Sequence, residues 1–149
     1  MLKKILKNKF RIVLIGLLVL VLACIRNFED FLFYDPLLDY YKSNYQVLAL
    51  PELDNWKLFF GLFSRYFLNS IVSISIIYAV FRDFRMIKFA SVLYVIFFLI
   101  LIIVLFSLLN FNENGSKMTI FYVRRFLIQP VFLILFLPAF YFQKKVSKQ

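Results

Sequence analysis

Arg65, Asn69 and Ser73 recur at four-residue intervals in RYFLNSIVSIS, so on a helix they line one face. FYVRRFLIQPVF, residues 121–132, adds Arg124, Arg125 and Gln129, of which Arg125 and Gln129 share a face. Guanidinium is always charged and grips planar anions through two parallel donors. These residue types suit ion pairing or anion recognition, with amide and hydroxyl groups hydrogen-bonding alongside. They do not suit proton shuttling. Carboxylates that could meet them, Glu29 and Asp35, lie with Arg26 in RNFEDFLFYDP, residues 26–36.

The surroundings make the arginines unusual. Of the 149 residues 63% are hydrophobic, 21 are phenylalanine, and the mean hydropathy is +0.84, too apolar for a soluble domain of this length. Basic residues outnumber acidic ones, 18 to 8. They sit between apolar runs and form no basic face, so nucleic acid is not an expected partner. Apolar runs cover Phe10–Ile25, Leu58–Phe81, Phe89–Leu109 and Phe126–Phe142. Each is near the ~17–25 residues that a membrane-crossing helix needs. The ten-residue alternation of a membrane barrel is missing. Arginine within a span costs on the order of 3 kcal/mol by insertion scales, so three such residues call for partners or headgroup contacts.

The expected fold is a single all-α integral membrane bundle of four transmembrane helices, at approximately 10–25, 58–81, 89–109 and 121–142. The amino-terminal tail, the 82–88 connection and the carboxy-terminal tail hold eleven basic residues and one acid; the remaining seven acids lie on the other side. Lysine and arginine excess marks the cytoplasmic side, so both termini are expected there. The third span, almost free of polar atoms, is expected to face lipid. Pro130, next to Gln129, is expected to kink the fourth.

The outer loop, 26–57, is rich in Phe, Tyr and Leu. Asp35 before Pro36 is a helix-start signal, and Leu37, Leu38, Tyr41 and Tyr45 follow at helical spacing. A short interfacial helix is expected there. A second start at Pro51, Glu52 and Asp54 leads into span two. Such a loop either caps the outer ends of the spans or merely connects them. The arginines likewise admit two readings. Either they reach the headgroups of membrane lipids singly, or they converge with Asp35 into a polar site at the outer leaflet.

KNKFRIVLIGLLVLVLAC resembles a lipoprotein signal that would place a lipid on Cys24. An uncleaved first helix is the favoured alternative, because cleavage would carry the amino terminus outside. With one cysteine there is no internal disulfide framework. With no histidine there is no Cys-His or Ser-His device, and three glycines leave no nucleotide-binding loop. No catalytic residue, metal site or cofactor is expected.

RNFEDFLFYDP, RYFLNSIVSISIIYAVF (65–81), IKFASVLYVIFF (87–98) and the arginine pair entering the fourth span together resemble the small exosortase F system-associated membrane proteins of Bacteroidetes. The resemblance covers most of the chain, although no single motif in it is diagnostic. It implies a multi-pass protein of a bacterial inner membrane. Members are encoded beside an exosortase, an enzyme implicated in processing and sorting proteins with a carboxy-terminal anchor signal. Their own activity is not established, so the resemblance carries over no catalytic residue. Exosortases resemble cysteine transpeptidases that need histidine, which this chain lacks. An accessory role is expected: binding the exosortase or its tail-anchored substrates at the outer leaflet. An independent lipid- or anion-binding membrane protein is the alternative, followed by a small transporter subunit.

Overall fold

A computed structural model describes residues 8–49, 51–111, 117–129 and 131–146, and the described residues fold as helices. In chain order these are α1 (Lys9–Asn27), α2 (Glu29–Leu32), α3 (Pro36–Lys42), α4 (Asn55–Phe81), α5 (Phe84–Phe111), α6 (Lys117–Ile128) and α7 (Val131–Val146). α1, α4 and α5 are each long and apolar enough to cross a membrane. α6 and α7 pass that test only as a pair, and they are bent by 60° at the break between them. The fourth span is therefore a broken one, if it is one span. Pro130, expected to cause the kink, lies outside the described residues.

α4 is the axis of the bundle. It packs against α1, α5, α6 and α7. Its buried stripe runs Leu58, Leu62, Arg65, Tyr66, Asn69, Ser73, Ile76 and Ile77, the three-and-four spacing of one helical face. Phe59, Phe63 and Tyr66 interlock with Phe98 of α5, and Tyr94 of α5 meets Phe132 and Phe136 of α7. Such offset and edge-on ring pairs add about 0.5–1.5 kcal/mol each beyond the area they bury. α5 buries only the line Ala90, Tyr94, Phe98, Ile102 and Leu105, and the rest of its surface is largely exposed. α1 buries no residue fully and lies along α4, with Cys24 facing outward.

The helix ends follow their local chemistry. Asp54 caps α4, its side chain accepting from the Lys57 N–H at 3.4 Å. Arg82 closes α4 in the left-handed conformation, with φ of 49°. α3 begins at the expected Asp35–Pro36 boundary, but the Asp35 carboxylate makes no capping bond. The helix also stops at Lys42, leaving Tyr45 in the following turn. Where the sequence suggested a helix lying flat at the membrane surface, Leu37 and Tyr40 of α3 are buried, and Leu37 joins the bundle core.

Residues 28–49 thus form a cap over one end of the bundle. Its closest approach is at Gly61, where a Cβ would stand 2.4 Å from the Tyr34 carbonyl oxygen. A side chain there meets backbone, which cannot swing aside. Gly61→Ala is expected to lower stability by about 1–3 kcal/mol through overpacking. Gly16→Ala on α1, where nothing lies within 4 Å, should instead gain up to about 1 kcal/mol from helix propensity. Thermal unfolding in detergent separates the two, and a neutral Gly61→Ala would refute the close contact.

Candidate functional site

One line of α4 meets first the cap and then α6. Gly61 admits the cap backbone. Arg65 reaches the cap's carboxylates. Asn69 Nδ2 donates to the Ile128 carbonyl at 3.0 Å, satisfying an acceptor left over where α6 ends. Ser73 is fully buried, and its hydroxyl has no hydrogen-bond partner among the described residues. Four residues per step keep all four on one face.

The centre of the site is Asp35. Its side chain is 3% exposed and faces two guanidinium groups. Arg124 Nε approaches its two oxygens at 3.2 and 3.0 Å, and Arg124 Nη2 donates to Oδ2, giving a two-pronged pair. Arg65 Nη1 stands 3.5 Å from Oδ2, while its Nη2 pairs with Glu29. The Arg65 guanidinium also lies over the Phe33 ring, 5.9 Å from its centre. Arg65 and Arg124 side chains are 3% and 4% exposed. Two cations and two anions balance, so the buried cluster is neutral. The Arg65 Nε and Nη1 donors are nonetheless left without a hydrogen bond among the described residues.

The cluster sits near one end of the spans. From Arg65 to Phe81 is ~24 Å of helix at 1.5 Å per residue, against ~30 Å for the hydrocarbon layer. With Phe81 at one boundary, Arg65 lies roughly 6 Å inside the other, where an unpaired guanidinium is costly. Pairing removes that exposure.

The remaining sequence candidates fall outside the cluster. Arg125 is exposed and donates from Nε to Gln129 Oε1 at 3.2 Å, one turn along its own helix. Adjacent positions on α6 point in different directions, which is why Arg124 enters the cluster and Arg125 does not. Arg26 is exposed at the end of α1.

A second clasp, which spacing did not signal, fastens the far side of the cap. Lys117 Nζ donates to the carbonyls of Tyr45, Gln46 and Leu48 at 3.2, 3.3 and 2.8 Å. Tyr41 returns a bond from its hydroxyl to the Lys117 carbonyl at 2.8 Å, and its ring packs edge-on against Phe121. Burial pushes the Tyr41 phenol up to about 12, so it remains a donor throughout the neutral range. Tyr40 closes the turn by donating to the Tyr45 and Leu48 carbonyls at 2.9 and 3.0 Å. A lone lysine at a helix start carries no periodic signal. Gly61 did carry one, being four residues before Arg65.

Against known protein families, curated proteins and solved structures, the chain matches none.

Replacing the shared carboxylate should cost more than replacing the peripheral one. Asp35→Asn leaves two buried guanidiniums short of an anion, a defect worth ~3–5 kcal/mol. Glu29, 21% exposed, leaves Arg65 nearer to water, so Glu29→Gln should cost about 1 kcal/mol. Limited proteolysis between residues 43 and 54 should speed up strongly in Asp35→Asn and weakly in Glu29→Gln. Equal rates in both would mean that Asp35 does not hold the cap.

Proposed function

We propose that the protein is a non-catalytic accessory component of an exosortase-type sorting system. In this reading it crosses the bacterial inner membrane four times, the bent α6–α7 pair forming the last span. Both termini lie in the cytosol and the cap lies at the outer leaflet. The resemblance of residues 26–36, 65–81 and 87–98 to exosortase F-associated proteins supplies the system, and the charge asymmetry of the loops supplies the orientation.

The observation that carries a docking role is the fixed cap. Ion pairs hold it in one arrangement, while Phe28, Phe31, Leu32, Tyr34, Trp56 and Phe60 stay exposed around it. A preformed aromatic surface loses little conformational entropy on association. Phenylalanine and tryptophan anchors of this kind dominate interface energetics. The partner is then the exosortase, or the hydrophobic tail of its substrate, met at the outer leaflet.

The alternative, recognition of lipid or soluble anions by the arginines, is weakened by the pairing of Arg65 and Arg124 with internal carboxylates. At the capped end it would rest on Arg125 and Arg26. A transporter subunit would need a polar path through the bundle, and among the described residues the buried charges cluster instead near one end, with Asn69 bonded to α6.

Purification in mild detergent should recover the exosortase or its tail-bearing substrates with the wild-type chain. Phe31→Asp and Trp56→Asp should cut that recovery by about thirtyfold, the loss of one interface anchor at ~2 kcal/mol. Recovery of neither partner, under conditions that keep other membrane complexes whole, would overturn the reading.

A further inference from the structure

The end of the bundle away from the cap is built for a different contact. There α4 ends in the left-handed Arg82, and Asp83 starts α5 by accepting from the Arg85 N–H at 3.0 Å. Lys144 of α7 reaches across to the Phe81 carbonyl at 2.6 Å, so its ammonium serves the α4 terminus. Around this junction Arg82, Arg85, Lys88 and Lys145 are exposed, and Asp83 is the one acid in the 82–88 connection. Asp83 pairs only loosely with Arg85: their charged groups are 3.9 Å apart, and the Arg85 side chain is 96% exposed.

Between α5 and α7 at this level lies a cavity of about 320 Å³, lined by Asp83, Arg85, Met86, Phe89, Phe140 and Gln143. Its two halves differ in chemistry. Phe89, Phe140 and Met86 make an apolar wall continuous with the bundle core, where Phe140 packs edge-on against Phe81 and Phe89. Arg85 and Gln143 form a polar rim, and the Asp83 carboxylate is turned onto the α5 terminus.

We propose that this cavity seats an anionic phospholipid. Its phosphodiester meets the Arg85 guanidinium, supported by the Gln143 amide and the nearby Arg82 charge, while the glycerol end of an acyl chain lies on Phe89 and Met86. Charge complementarity selects the anion, because the exposed Arg82 and Arg85 flank one carboxylate, Asp83, that accepts from the α5 terminus. The apolar wall selects a lipid over a soluble phosphate, which would leave the exposed Phe89 ring uncovered. The position also fits, because Phe81 and Phe84 bracket the turn where two spans leave the apolar layer. This inference rests on the chain being a membrane protein and is independent of the exosortase reading.

The test uses the full chain in nanodiscs of equimolar phosphatidylglycerol and phosphatidylcholine, released for native mass spectrometry. Phosphatidylglycerol should be retained over phosphatidylcholine. Arg85→Gln should weaken that retention by about fivefold, and adding Arg82→Gln by about fivefold again, the effect of roughly one interfacial charge each. Lys88→Gln and Lys145→Gln, which alter cations away from the 82–85 turn, and Arg125→Gln near the cap should change it far less. All five positions are exposed, and circular dichroism checks that each variant keeps its helices. Equal retention of both lipids by the wild type would overturn the proposal. So would unchanged retention in Arg82→Gln/Arg85→Gln, or an equal loss in Lys88→Gln/Lys145→Gln, which would indicate a diffuse basic surface.

Discussion

Two guanidinium groups on different helices share one buried carboxylate. Arg65 rises from α4, Arg124 from α6, and Asp35 comes down from the start of α3. An arginine at this depth alone would have to stretch toward headgroups or drag water inward, at a cost of several kcal/mol. A buried aspartate alone would be protonated or excluded. Together, with Glu29 completing the charge balance, they are compatible with a largely apolar bundle. A replacement set of apolar residues could fill the same volume with equal or greater stability. What such residues could not do is dictate which loop segment meets which helix. The ion cluster therefore specifies arrangement more than it adds stability.

That specification has consequences on both sides of the cluster. Below it, Asn69 serves the Ile128 carbonyl and so fixes where the bent α6–α7 pair meets α4. Above it, Asp35 fixes the start of α3, which positions Tyr40 and Tyr41 for the second clasp at Lys117. The cap is thus tied at two points some distance apart in sequence, one ionic and one built from carbonyls. A segment held this way presents its outward aromatic residues as a surface. This is the property a docking role requires, and it is why the paired arginines favour an organising task over capture of a free anion.

Much of this was legible in the chain. The apolar runs place α1, α4 and α5 closely, because span length and hydropathy are imposed by the bilayer. The four-residue spacing of Arg65, Asn69 and Ser73 reads correctly as one face. Asp35 marks the α3 boundary and belongs with the arginines, although its carboxylate serves the guanidiniums in place of a cap bond. Helical spacing could not tell whether Arg124 or Arg125 faces inward, since that depends on how α6 is rotated against α4. Nor could it show the Lys117 clasp, whose acceptors are backbone carbonyls and leave no trace in residue type. Pro130, expected to kink the fourth span, lies outside the described residues, and α6 and α7 are bent by 60° at the break between them.

The central claim is that Asp35 and Arg124 act as one unit. A double-mutant cycle on Asp35→Asn and Arg124→Gln, followed by reversible unfolding in detergent, addresses this directly. The account predicts coupling of about 3 kcal/mol, with the double variant barely less stable than either single one. Additive losses would show that the two side chains lie near each other without depending on each other, and the cap would need another explanation.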